Sequence, residues 1–345
     1  MKPPFSWDAY SDQPALLKDK AYKNAMRRAQ WREHLKTLGT ALFALPLALC
    51  AMPFFKPKKR FELGLCVNLD KGHEQVALVE ELGVKHLLCR FPLWEMEHLE
   101  AYATFIKSFG NDKTVVVCVL QDREHIENLP LTALHVRKVF EVLSPLAREF
   151  QIGNAINRAK WGFFSVGEYL RFFECVQAVR DTHFPHLKLL GPSVIDFEYH
   201  YTARALFHGF NTRFDAHTAL LYVDRRGAPH NKQLGFNTKA KIAFLYALAK
   251  LSPKSSDDLY ITEVNWPLSN TAPYAPTSEK ECVDEATYAR YLKAYVTTAK
   301  QSGKVRKLFW HQLIAPGYGL VDNREGLHKM QGFDTFKKLL QESAR

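Results

Sequence analysis

The chain predicts an α/β fold: a single (β/α)8 barrel preceded by a basic, then hydrophobic, helical segment. Three observations predict it. From residue 61 onward short apolar runs alternate with amphipathic helical patterns, the mark of a parallel sheet. Eight such units follow one another with no element left over. The first run ends in Val67-Asn68-Leu69-Asp70, so the glycine-rich phosphate loop that a doubly wound nucleotide-binding sheet needs there is missing. Of 345 residues, about 285 follow the leader, and 47% of the chain is apolar, enough for one large barrel core.

Taken in order, strand 1 reads as 61–69 and is followed by a helix near 72–82. Strand 2 spans 85–90, before a helix near 97–109. Strand 3 is 114–120, rich in β-branched valine, with a helix near 131–149 behind it. Strand 4 is 150–153 and its helix 165–182. Strand 5 is the short run 188–190, stopped by Gly191-Pro192. Strand 6 covers 214–222, with a helix at 238–251. Strand 7 is 259–263, with a helix at 284–302. Strand 8 is 306–312, closed by a helix at 332–343.

The leader divides at residue 36. Residues 1–36 form a basic segment carrying eight Lys or Arg, and 37–55, TLGTALFALPLALCAMPFF, carries no charge. Nineteen uncharged residues approach the ~20 needed to cross a bilayer. Lys56, Lys58, Lys59 and Arg60 follow. Pro46 and Pro53 are compatible with a membrane helix, and the stretch begins too far into the chain for a simple signal peptide. Residues 37–55 are therefore expected to be a membrane anchor, and 61–345 the barrel. The setting expected is a bacterial inner membrane. The charge count leans the barrel to the periplasmic side; six unpaired cysteines (Cys50, Cys66, Cys89, Cys118, Cys175, Cys282) lean toward a reducing compartment, so the side stays open.

The formal charge of +11 is weighted toward the leader, which favours an anionic membrane surface over nucleic acid, and no nucleic-acid-binding signature occurs. No CxxC pair suggests zinc or redox chemistry. His183 and His186 sit beside Pro185 in a polar turn. No Gly-x-Ser-x-Gly elbow supports a serine nucleophile. Nothing in the chain demands a metal or an organic cofactor.

Barrel active sites lie at the C-terminal strand ends. Those ends offer Asn68; Arg90 with Trp94; Gln121 with Asp122; Asn154 with Asn157; Asp196 with Glu198; Tyr222 with Asp224; Glu263 with Trp266; and Trp310 with Gln312. Aromatic faces, amides and carboxylates of this kind suit a sugar ring and its hydroxyls. An oligo- or polysaccharide is the expected partner.

Two motifs carry a family resemblance. Ile261-Thr262-Glu263-Val264-Asn265-Trp266 resembles the strand 7 nucleophile motif of the clan A retaining glycoside hydrolases. Gly153-Asn154-Ala155-Ile156-Asn157 resembles their strand 4 motif, Gly-Asn-Glu-Pro-Asn. The resemblance, which covers 61–345, implies that Glu263 is the nucleophile and that Asn154 binds the sugar 2-hydroxyl. It also implies that Arg90 supports Glu263, that Tyr222 bonds it, and that Trp266 and Trp310 wall the sugar subsite. Tyr222-Val223-Asp224-Arg225-Arg226-Gly227-Ala228-Pro229 and Ala315-Pro316-Gly317-Tyr318-Gly319-Leu320 resemble strings of bacterial barrel proteins associated with surface polysaccharide. That likeness implies a cell-surface glycan.

Two positions depart from the clan pattern. Ala155 replaces the acid/base Glu, and Leu220 stands where a His is common. A retaining hydrolase uses two carboxyl groups ~5–5.5 Å apart, so another acid would be needed. Glu198 and Asp196 after strand 5 are the candidates, with Asp122 after strand 3 as their mirror. Two readings follow: a glycoside hydrolase or transglycosidase that uses Glu263, or a non-catalytic barrel that binds a glycan or supports an envelope assembly. Ala155 is the residue that separates them.

Overall fold

The computed structural model describes residues 6–58 and 60–344; Lys59, counted above in the basic flank, and residues 1–5 and 345 lie outside the described residues. Eight parallel strands close into a barrel: β1 Glu62–Val67, β2 His86–Pro92, β3 Thr114–Leu120, β4 Glu149–Ile152, β5 Lys188–Ile195, β6 Ala216–Leu220, β7 Leu259–Ile261 and β8 Val305–Trp310. Strands adjacent in sequence pair in space, and β8 returns to β1 with Lys307 opposite Glu62 and Trp310 opposite Leu65. Closure leaves no sheet edge open. Val115 to Leu120 are buried on both faces of β3, as a strand must be when one face fills the barrel and the other meets helices.

The helices are α1 Lys20–Ala29, α2 Trp31–Ala51, α3 Gln75–Leu82, α4 Leu99–Ser108, α5 Arg123–Glu127, α6 Leu129–Leu143, α7 Val166–His183, α8 Tyr199–Leu206, α9 Thr238–Leu251, α10 Glu285–Ser302 and α11 Gln331–Ala344. Asn237 and Asp284 cap α9 and α10 by accepting from the amides of Ala240 and Thr287. The sequence reading misplaces three features here. β5 does not stop at Gly191-Pro192. Its pairing with β6 shifts register between Pro192 and Val194, Ser193 takes a φ of 58°, and the ladder resumes at Val194 and Ile195. The short helix α8 went unseen because Tyr, His and Arg interrupt its apolar period. And α2 starts at Trp31, six residues before the uncharged stretch, and continues through Pro46.

α2 lies along the outside of the barrel against α8 and α9. Two stripes run down it at helical spacing. Thr37, Ala41, Ala44 and Ala48 are buried against the barrel, while Trp31, Leu35, Leu38 and Leu42 are exposed. Small residues on the inner stripe let the helices approach. At its N-terminal end Glu33 pairs with Arg204 at 2.8 Å. Gly167 of α7 admits the Glu33 side chain, since a Cβ there would sit 2.7 Å from it. At the other end the Lys58 amide donates to the Gly303 carbonyl at 2.7 Å. Before α1, Trp7–Asp8 and Gln13–Pro14 pair as a two-residue ribbon. The ribbon crosses the barrel mouth, with the Trp7 ring 5.5 Å from Trp94 and 6.0 Å from Trp161.

His217 of β6 is fully buried, and neither ring nitrogen has a partner among the described residues. Burial pushes its pKa down to about 3. The unfolded chain takes up this proton near 6.5, so the contribution is whole above about 6.5 and is lost as pH falls through about 3. His217→Leu is expected to flatten the acid loss of stability in that window by up to roughly 4–5 kcal/mol. Urea denaturation midpoints between pH 7 and 4 check it.

Candidate active site at the barrel mouth

Glu263 lies two residues beyond β7 and is 8% exposed. Its two oxygens are engaged from opposite sides: Arg90 Nη2 donates to Oε2 at 2.6 Å, and the Tyr222 hydroxyl donates to Oε1 at 2.5 Å. Arg90 is on β2, and Tyr222 lies two residues beyond β6. Burial alone would raise the Glu263 carboxyl. Positive charge from His311 and Arg90, with the two hydrogen bonds, reverses this and holds it at about 2. His311, next after β8, is itself held near 3 by burial and by Arg90. It is thus neutral at pH 7, and Arg90 is the standing charge that keeps Glu263 ionised.

The loop after β4 supplies the second half of the site. Gly153 takes a φ of 81°, which turns the chain inward. Gln121 then clamps the next residue: its Oε1 accepts from the Asn154 amide, and its Nε2 donates to the Asn154 and Trp161 carbonyls at 3.0 and 2.8 Å. Asn154 Oδ1 accepts from Gln151, while Nδ2 is buried without a partner. Ala155 follows with a φ of 46° and is fully buried.

Arg90, Asn154, Ala155, Asp196, Tyr222 and Glu263 line one cavity of about 200 Å3. Asn265 and His311 line it too, and Asn265 Oδ1 and His311 Nδ1 are buried without partners among the described residues. Three residues of the lining, Asn154, Asn265 and His311, thus each carry a buried unpaired polar atom beside an ionised carboxylate. A groove of about 910 Å3 near α2 and α8 is larger. It is lined by the segments that precede β6 and β7, at the N-terminal strand ends, whereas the smaller cavity lies at the C-terminal ends where barrel chemistry sits.

Other strand-end residues lie elsewhere. Trp266 and Trp310 do not wall the cavity: both are fully buried and stack on each other at 5.9 Å. Their indole nitrogens donate to the Gly227 carbonyl and the Tyr288 hydroxyl, so they belong to the packing behind the site. Trp94 packs on Trp7 outside the cavity lining. Asn157 is a clamp: it donates to the Ile195 carbonyl and to Glu198, and accepts from the Ile195 amide. Arg158 binds Glu198 and Asp196, each at 2.5 Å. Glu198 is thereby tied away from the cavity lining, and Asp196 lies at it with its carboxylate engaged. Asp122 caps α5 and bonds His125 at 2.7 Å, also away from the site.

Gln312 meets Asp12, a residue that no sequence signal singles out. Its Nε2 donates to Asp12 Oδ2 at 2.7 Å, and Asn68 donates to its Oε1. The Tyr318 hydroxyl also donates to Asp12 Oδ2, at 2.9 Å. Lys71 pairs with Asp12 at 2.8 Å, and Arg90 Nη1 donates to its carbonyl at 3.1 Å. Ser11, Asp12 and Gln13 of the N-terminal ribbon thus form part of the cavity wall, joined by Arg158, Lys160, Trp161, Arg226 and Tyr318. Of these, Arg226 and Tyr318 carried a signal in the sequence, in the Tyr222–Pro229 and Ala315–Leu320 strings.

Among the described residues no group of three or more His, Cys, Asp or Glu is placed to hold a metal ion. Cys66, Cys89 and Cys118 are buried in the core, where desolvation pushes the thiols up.

No family model and no curated protein matches the chain. Solved structures do. A β-glucosidase from Thermotoga maritima in complex with deoxynojirimycin is 12% identical, with TM-score 0.59 over 84% of this chain and 99% of that one. A GH39 enzyme from Xanthomonas axonopodis pv. citri is 14% identical, with TM-score 0.54 over 83% and 67%. A GH30 endoxylanase from Clostridium papyrosolvens is 10% identical, with TM-score 0.54 over 83% and 72%. At such identities the likeness is one of fold.

Proposed function

We propose, starting from a barrel of the clan A glycoside hydrolase fold, that this protein is a glycosidase-like enzyme acting on a bacterial glycan with Glu263 as its nucleophile. The observation that carries the reading is the Glu263 carboxylate, ionised between Arg90 and Tyr222 in a cavity whose lining residues carry unpartnered polar atoms. One oxygen attacks the anomeric carbon as the bond to the leaving oxygen breaks. Asn154 Nδ2 is the donor available to a ring hydroxyl. At about 200 Å3 the cavity is below the roughly 300–1,000 Å3 of ordinary ligand pockets, so it takes one sugar unit and the remaining glycan stays outside.

Ala155 brings no proton to the leaving group, and Asp196 and Glu198 are bound by Arg158. The first step is therefore confined to leaving groups that depart without a proton, and water then hydrolyses the glycosyl–Glu263 ester without a general base, so a fast burst of leaving group is expected ahead of slow turnover. Dinitrophenyl glycosides are expected to be cleaved and alkyl glycosides not. Ala155→Glu is expected to raise cleavage of the poorer leaving groups 10²–10⁴-fold, about the worth of general acid catalysis. The φ of 46° is already borne by the Ala155 Cβ, so the backbone adds no new cost to the longer side chain. The second reading, a glycan binder without turnover, is favoured by the same Ala155. Oligosaccharide binding with no cleavage of even the dinitrophenyl glycosides would establish it.

The membrane setting rests on α2. Its outer stripe exposes Leu35, Leu38, Leu42 and Phe43, beside basic Arg27, Arg28, Arg32 and Lys36. The protein is expected to float with phosphatidylglycerol vesicles in a density gradient. Replacing Leu38, Leu42 and Phe43 together by Ser should leave it at the bottom, since the barrel-facing stripe is untouched.

A further inference from the structure

The cations around the cavity do not balance. Arg90 is paired with Glu263, Arg158 with Asp196 and Glu198, and Lys71 answers Asp12. That leaves Lys160 and Arg226, both lining the cavity. Lys160 donates at 2.5 Å to a neutral amide oxygen, that of Gln13. Arg226 lays its guanidinium 3.5 Å over the Tyr222 ring, the ring whose hydroxyl holds Glu263. Its Nη1 is buried and has no partner among the described residues. Neither cation has an acidic partner within ion-pair distance among the described residues. Burial pushes the Lys160 ammonium down to about 8; Glu263 and Asp8 oppose this from beyond ion-pair distance, and Arg158 and Arg226 add to it.

The backbone holds this arrangement at a cost. Arg225 and Arg226 take φ of 48° and 51°, left-handed values that non-glycine residues rarely adopt. Strain of this kind persists where the surroundings over-determine it, and it concentrates at ligand-binding segments. Two like charges, one with an unsatisfied nitrogen, converge on a cavity that also holds an unpartnered amide donor. An incoming anion would relieve both the repulsion and the unpaired donor.

Resting on the glycosidase-like reading of the same cavity, we infer that the sugar it takes carries an anionic group, a carboxylate or a phosphate, held between Lys160 and Arg226. A phosphate on the anomeric oxygen would also suit Ala155. As Glu263 bonds to the anomeric carbon, the electron pair of the breaking bond leaves on the phosphate oxygen, and no proton is required.

The test is calorimetric titration of the whole protein with gluco, galacto and manno sugars, each as neutral methyl glycoside, methyl uronide and 1-phosphate. At least one anionic member is expected to bind tenfold or more tighter than its neutral counterpart. Lys160→Gln and Arg226→Gln should each weaken that ligand on the order of tenfold, the scale of one charge-assisted hydrogen bond, and weaken the neutral sugars by less, so that the preference for the anionic member falls. Uronide preference and 1-phosphate preference assign the anion to the ring or to the leaving group, and release of inorganic phosphate marks the latter. A measurement on the unaltered protein guards against misfolded variants: affinity for the anionic ligand should fall as pH rises past about 8, where Lys160 loses its proton. Neutral and anionic sugars binding alike would overturn the inference and leave the Glu263 reading standing. Binding of none would overturn it too, with Glu263 still judged separately by the dinitrophenyl glycosides.

Discussion

Glu263→Gln is expected to lower the cleavage of dinitrophenyl glycosides by a factor on the order of 10⁴ or more, the scale of losing a nucleophile. The substitution keeps the size of the side chain and one oxygen for Arg90 or Tyr222, but removes the anion that forms the bond. The loss should fall on the release of dinitrophenolate in the first step, which needs no proton from residue 155, rather than on KM. A role limited to binding would instead raise KM and spare kcat. The pH profile of the unaltered enzyme carries the same information. With the Glu263 carboxyl held at about 2, kcat/KM for a neutral substrate should stay level from neutral pH down to the acid limit of folding. The alkaline limb that a carboxylic acid catalyst adds to a bell-shaped profile should be missing.

Arg90→Met is expected to destabilise the protein by roughly 3–5 kcal/mol at pH 7, the usual result of removing one member of a buried pair. The methionine fills much of the space, but Glu263 is then left buried without the charge that keeps it ionised, and the Asp12 carbonyl loses a donor. The sign of the pH dependence follows from the depressed carboxyl. In the unaltered protein its contribution is whole above the unfolded value of about 4.5, and is lost as pH falls through about 2. Without Arg90 that contribution is gone, so the two proteins should differ most near neutrality and converge in acid. The double substitution Arg90→Met with Glu263→Gln should recover part of the loss, since neither buried charge then remains. Urea denaturation of the four proteins of this cycle measures the coupling directly.

The barrel was legible because most strands are largely apolar and most of the longer helices have a 3.6-residue period, and both signals survive in a single sequence. Arg90, Asn154, Tyr222 and Glu263 were found by asking what stands where an apolar run stops, and all four line one cavity. The same question misled for Trp266 and Trp310. Beyond the last paired residue a strand loses its alternation, so nothing local tells whether an indole turns to the cavity or to its neighbour. Lys160 and Arg226 were missed for a different reason: a basic residue in a loop looks solvated until its acids are known to be engaged elsewhere. Asp12 lay furthest from view. Its partners Lys71, Arg90, Gln312 and Tyr318 are 59 to 306 residues away, and no periodicity spans such a gap.

That long closure bears on how the molecule is made. Asp12 leaves the ribosome 300 residues ahead of Gln312, so one wall of the cavity must wait through nearly the whole of synthesis for its counterpart. The joining of first and last-made pieces is a step of high loop-closure entropy. A nascent chain halted before β8 would carry seven strands and an Asp12 carboxylate held by Lys71 but without Gln312 and Tyr318, so competence to bind a ligand comes with the final turns of translation.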